Sequence, residues 1–194
     1  HPVVTGRALE VLRRGPGTPD GVPGETSFLR GIHVVPLRTA TLPPATHTNC
    51  YLLGERELLI VDPGTDDQEE LAKLETQLAR LEARGARPVS IVLTHHHGDH
   101  VGGAKALAAR TGLPIACHPW TAAHLGLSDF RALGDGDVLK VDGERPMHWR
   151  VLHTPGHAPG HLCLVDASTG AAIVGDMVAA VGSIIVDPPE GDMA

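Results

Sequence analysis

Aromatic side chains are scarce in this chain: Phe, Trp and Tyr together make up 3% of 194 residues. That leaves little material for a base-stacking platform. The net charge of −7 removes the broad basic footprint that nucleic-acid binding rests on. A nucleic-acid partner is therefore not favoured beyond a local contact. Lysine is rarer than arginine, three against thirteen, a compositional bias from which nothing functional follows. The cysteines, Cys50, Cys117 and Cys163, are odd in number, widely spaced and form no CxxC pair. They read as free thiols in a reducing compartment, with Cys163 a packing residue. No apolar run approaches the roughly 18 residues of a membrane span, and no signal peptide is visible. A cytoplasmic location without membrane contact is the expectation. What is present is a chain 42% hydrophobic, enough for one sizeable core.

The organisation along the chain is uneven. The first residue is His1 rather than Met, so a missing or processed N-terminus is expected. Residues 1–31 read as an N-terminal extension, with an apolar-basic stretch at Ala8–Arg14 and a Gly/Pro-rich linker at Gly15–Gly24. They are either a connection from an upstream segment or a tail. Residues 32–194 read as one domain. Strands are predicted at 31–37, 49–53 and 57–62, the last two a hairpin about Gly54. Leu71, Leu74, Leu78 and Leu81 predict a helix from about Asp67, with Asp66 and Glu69 as a capping box and Gly85 as the stop. Further strands are predicted at 88–93, 114–117, 135–141, 148–153, 161–165 and 171–175, and helices at 102–111 and 120–125. Hairpins mixed with helices imply α/β layering.

One segment dominates the functional reading. Thr94-His95-His96-His97-Gly98-Asp99-His100 follows the β-branched run Pro88–Leu93. It places His95, His97, Asp99 and His100 at the mouth of a buried strand. His95 and His97 are two apart, so on an extended segment they point the same way and could grip one ion. Asp99 and His100 sit where the chain turns into a helix, diverge from that pair and could hold a second. Neutral imidazole suits zinc, iron and similar ions, and a carboxylate adds charge compensation. A tag remnant is the bland alternative, but tags sit at termini and this run lies mid-chain.

His95-x-His97-x-Asp99-His100, followed by Gly102-Gly103, resembles the signature of metallo-β-lactamase-fold hydrolases. His153–His161 resembles that family's Thr-Pro-Gly-His loop, which implies that His157 completes a first metal site. Ile173-Val174-Gly175-Asp176 resembles a later strand ending in Gly-Asp, which implies that Asp176 bridges two ions. Leu58–Gly64 resembles an early strand with an Asp-x-Gly turn, which implies that Asp62 supports the site. Thr48-Asn49-Cys50-Tyr51 is similar to a strand of the β-lactamase-like and glyoxalase II-like branches. The resemblance spans about residues 45–187 in consistent order. It implies an αββα sandwich with the metals at the sheet edge. The family completes its second site with a histidine on a later loop, and no histidine lies beyond His161. The expectation is that the C-terminal part of the second half is missing from this sequence.

The resemblance implies a metal-dependent hydrolase using a zinc-activated hydroxide on an ester, thioester, lactone, amide or phosphodiester. Two zinc ions are implied for the complete protein, with iron or manganese compatible. Asp99 would both ligate the second ion and orient or deprotonate the nucleophilic water. The substrate would be a small molecule; oligomeric state is not legible. Two alternatives stay open: a mononuclear iron oxidoreductase resembling persulfide dioxygenases, and a non-catalytic metal-binding module. Among the other histidines, His96 should point away from the ligands, and His161 and His153 read as structural. His47, His118, His124 and His148 have no supporting constellation. Thr94 could orient a ligand through its hydroxyl.

Overall fold

Alternate side chains of single strands go to two different cores. A computed structural model describes residues 26–178, 184, 186, 191 and 192. A seven-stranded sheet runs in chain order, β1 (Thr26–Leu29), β2 (Ile32–Arg38), β3 (His47–Leu53), β4 (Glu57–Val61), β5 (Arg87–Val92), β6 (Ile115–Cys117) and β7 (Arg131–Ala132). Its first four strands are antiparallel, and β4 to β7 are parallel. A four-stranded antiparallel sheet has the order β11-β10-β9-β8, from β8 (Val138–Val141), β9 (Met147–His153), β10 (Leu162–Asp166) and β11 (Ala171–Ile173). The helices are α1 (Gln68–Glu82), α2 (Gly98–Val101), α3 (Ala104–Thr111) and α4 (Pro119–Leu125).

The run Leu58-Leu59-Ile60-Val61 shows the sorting. Leu58 and Ile60 pack under the helices with Leu74, Leu78, Leu107 and Ala122. Leu59 and Val61 pack against the second sheet with Trp149, Val151, Leu162 and Leu164. A period of two and burial on both faces explains a strand that reads as a continuous apolar run. β5 repeats the pattern, with Ile91 on the helix side and Val92 on the sheet side. β9 has only one buried face, so Met147, Trp149 and Val151 alternate with exposed His148 and Arg150. The described residues therefore form a helical layer, the large sheet and the small sheet. This is the layered α/β arrangement expected, with a second outer helical layer not represented among them.

Several boundaries differ from the sequence reading. β1 pairs with β2 from Thr26, within the stretch assigned to the extension; residues 1–25, including the linker, lie outside the described residues. β1 and β7 were not expected, because each is short and lacks clear alternation. The cap of α1 is Asp67 rather than Asp66: its carboxylate accepts from the Glu69 and Glu70 N–H groups at 2.9 and 3.3 Å. The helix expected at 102–111 is two pieces, because α2 already begins at Gly98 and so includes Asp99 and His100. β8 starts only at Val138, since the Asp137 carboxylate folds back to accept the Gly134 N–H at 2.8 Å.

The β10–β11 turn carries a prediction. Buried Asp166 accepts from the Ser168 hydroxyl at 2.8 Å and the Thr169 hydroxyl at 2.7 Å, and from both of their backbone N–H groups. Burial alone would raise its pKa, but these bonds outweigh it and hold the carboxyl below its ordinary value. A carboxyl depressed in the folded state stabilises above its unfolded pKa of about 3.9, and that contribution fades as pH falls through the folded value. Asp166→Ala is expected to cost about 2 kcal/mol near neutrality. The deficit should shrink toward pH 3, read as the difference in urea midpoints; an unchanged deficit would contradict this role.

Candidate metal centre

Adjacent parallel strands β4 and β5 end side by side, with Val61 opposite Val92. Their carboxyl ends release the two segments that carry the chemistry, Asp62–Thr65 and Leu93–His97, as is usual in parallel sheets. Asp62 sits at φ 52°, in the left-handed region that Asp tolerates better than most residues. Its carboxylate then reaches back across the strand ends. Oδ1 accepts the Thr94 N–H at 2.8 Å, and Oδ2 accepts the Thr94 hydroxyl at 2.6 Å. Gly64 follows because nothing larger fits: a Cβ there would lie 1.8 Å from the Asp99 carbonyl oxygen. The small sheet joins at the same place, through the Leu162 N–H donating to the Thr94 carbonyl at 2.8 Å. Its β9–β10 loop brings His157, and a 3-10 turn after β11 (Gly175–Met177) brings Asp176.

Four of the six residues singled out from the sequence meet in one cluster. One ligand atom from each of His95, His97, His157 and Asp176 lies within 4.8 Å of all the others. His97 Nδ1 faces both His95 Nε2 at 3.1 Å and His157 Nε2 at 2.9 Å. A ring nitrogen carries at most one proton, so three nitrogens converging this way cannot all be satisfied by hydrogen bonds among themselves. A cation among them would satisfy all three, and arms of about 2.0–2.1 Å would set tetrahedral edges only slightly longer than these contacts. Thr94 fixes the first lone pair. Its hydroxyl proton goes to Asp62, so it accepts from His95 Nδ1–H at 3.0 Å and leaves His95 Nε2 bare toward the cluster.

His100 stands on the far side of Asp176. Its Nδ1 donates to Asp62 Oδ2 at 2.9 Å, and its Nε2 lies 3.1 Å from Asp176 Oδ1. Asp176 Oδ2 lies 3.5 Å from His157 Nε2. The carboxylate thus spans the two histidine groups. Asp99 Oδ2 is 3.9 Å from His100 Nε2 and accepts the Thr48 hydroxyl at 3.3 Å. The charge pattern follows. Burial, then the neighbouring rings, hold His95 well below the usual histidine value, and burial lowers His97. Burial also opposes a charge on His100, but hydrogen bonds to Asp176 and Asp62 outweigh it and raise the ring to about 10. Burial would raise Asp176, yet its bond to His100 keeps it below the usual carboxylate range.

The remaining histidines separate. His96 turns away from the cluster and lies with its ring 4.0 Å from that of His124. His118 and His153 stack at 4.3 Å with an interplanar angle of 8°, a pairing their separation in sequence did not signal. Thr48 was not singled out as a contact of Asp99, since only the pairing of β3 brings it there. Thr154 was also missed, although its place in the Thr-Pro-Gly-His loop could have marked it.

A family model described as "Metallo-beta-lactamase superfamily" matches residues 43–194. The chain belongs to that superfamily. Among its relatives, a hydroxyacylglutathione hydrolase from Cereibacter sphaeroides is 33% identical over 151 residues, which are 76% of this chain and 54% of that protein. The chain thus spans about half the length of that relative. A solved β-lactamase domain protein from Burkholderia ambifaria, 21% identical, shares the fold with a TM-score of 0.75 over 89% of this chain and 62% of its own. The protein TTHA1623, solved in a di-iron-bound form, is 29% identical with a TM-score of 0.55 over 79% of each chain. Among the described residues no helix is long and apolar enough to cross a membrane.

Proposed function

We propose that this chain carries the metal-binding centre of a metal-dependent hydrolase acting on a thioester of the hydroxyacylglutathione class. The convergence of His95, His97, His157 and Asp176 on one point carries the reading. In this reading the three histidines would hold a first ion, Asp99 and His100 would hold a second, and Asp176 would serve both. Zinc or iron suits these donors, and the relative solved in a di-iron-bound form supports a two-ion site. Such ions, when bound, lower the pKa of water and polarise a carbonyl.

The protein's own residues do the rest. Asp62 and Thr94 set the tautomer and direction of His95, and Asp62 orients His100. Asp99, anchored by Thr48 through Oδ2, would orient the attacking water and take its proton. The acyl carbon is attacked, the C–S bond breaks, and thiol and acid leave. The persulfide dioxygenase-like alternative uses the same first histidines. The hydrolase is favoured because His100 stands beside Asp176 with Asp99 next to it, and because relatives above 30% identity are named as hydrolases.

The test is free-thiol release from an S-hydroxyacylglutathione by the metal-loaded protein, alongside metal content per chain. Activity should appear with bound metal and vanish with a chelator. Asp99→Ala should lower kcat by about 10²–10⁴-fold while the metal at the histidine cluster stays. Two bound ions without thiol release would overturn the thioester assignment.

A further inference from the structure

Buried beneath the cluster is a further histidine, its ring 5.0 Å from that of His95 and 6.2 Å from that of His157. His161 is fully buried. The Asp176 N–H donates to His161 Nε2 at 3.2 Å. A backbone N–H cannot reverse its role, so this one bond orders the others. His161 Nε2 must be bare, so Nδ1 carries the proton and donates to the Thr154 hydroxyl at 2.9 Å. That hydroxyl then donates to Cys163 Sγ at 3.3 Å, and the thiol donates to the Val174 carbonyl at 3.7 Å. The chain of donors returns to the polypeptide two residues before Asp176. Position 175 is shaped to fit: Gly175 has φ 47°, and a Cβ there would lie 2.6 Å from His161 Nε2 and 3.0 Å from the Thr94 hydroxyl.

We propose that His161 is a positioning residue for the Asp176 carboxylate, held in the Nδ1–H tautomer by Thr154 and Cys163. Free imidazole prefers the other tautomer, so the arrangement has a spectroscopic signature that a merely space-filling histidine lacks. The physical reason is economy of motion. The 3-10 turn carrying Asp176 is half-exposed and short, and the His161 contact anchors the backbone from which the bridging carboxylate projects. This inference rests on the two-ion reading above.

The experiment has two parts. Nitrogen-15 spectra of the metal-free protein should show His161 with its proton on Nδ1; a proton on Nε2 overturns the proposal whatever the site binds. Zinc titrations against a chromophoric chelator should then show two steps in the wild type. His161→Leu should weaken the second step by about 10–100-fold and the first step less, because His95, His97 and His157 still hold the first ion. His161→Gln, which places an amide acceptor near the lost Nε2, should recover most of that loss. If His161→Leu does not fold, Thr154→Val serves, with a partial shift of the His161 tautomer and a smaller weakening of the second step. Unchanged second-step affinity in a folded His161→Leu protein overturns the proposal. A wild type that takes up no second zinc overturns the two-ion reading instead, while the tautomer measurement still decides the His161–Asp176 contact.

Discussion

Asp176→Ala is expected to lower hydrolysis by about 10³-fold and to reduce the bound metal by one ion per chain. Its carboxylate lies 3.5 Å from His157 Nε2 through one oxygen and 3.1 Å from His100 Nε2 through the other. No other carboxylate among the described residues belongs to the convergent cluster. In the proposed two-ion site, loss of this anion would remove a ligand from each ion and let their separation relax. Charge stabilisation by a metal is worth several kcal/mol, and each 1.36 kcal/mol is about tenfold in rate. Asp176 is half-exposed, so truncation leaves little cavity and folding should survive. Elemental analysis beside steady-state kinetics checks both halves. Full activity with two ions retained would sink the bridging role.

The largest expected loss of stability comes from Asp62→Ala, at about 3–5 kcal/mol in the metal-free protein. Asp62 is buried and receives three donors: the Thr94 N–H, the Thr94 hydroxyl and His100 Nδ1. Removing the carboxylate strands all three in the interior and leaves His100, itself buried, with one anionic partner fewer. Breaking one side of a buried charged pair typically costs this much, because the remaining group cannot regain water. Asp62→Asn should cost less, since asparagine accepts φ 52° and retains one acceptor. Urea unfolding of the three proteins gives the comparison. An Asp62→Ala loss below about 1 kcal/mol would mean that solvent reaches these donors.

Part of the donor set was legible because it is local, while His157 and Asp176 were marked only by the family resemblance. His95, His97, Asp99 and His100 lie within one turn after a strand, and residue spacing alone sets which of them can share a direction. The apolar runs 58–61 and 88–93 announced strands, and Leu58–Val61 and Ser90–Leu93 are buried in them. Leu71, Leu74, Leu78 and Leu81 marked the helix that covers one face. Boundaries such as the split between α2 and α3 were not legible, because both pieces have helical periodicity and only the packing of Gly64 against Asp99 and of Gly103 beneath Pro63 sets the break.

By itself, the sequence determined the kinds of groups available and the individual strands and helices, since side-chain chemistry and periodicity act over a few residues. Tertiary structure alone decided who faces whom. Asp62 and His100 are 38 residues apart, and His97 and His157 are 60 apart. Parallel pairing of β4 with β5 brings the first pair together, and the bond from Leu162 to Thr94 draws the small sheet's loop over the second. The tautomers of His95 and His161 are also tertiary facts, because the first is set by the Thr94 hydroxyl, whose proton goes to Asp62, and the second by the Asp176 backbone N–H. Hydrogen-bond direction depends on the full chain of partners, and no spacing along the chain encodes that.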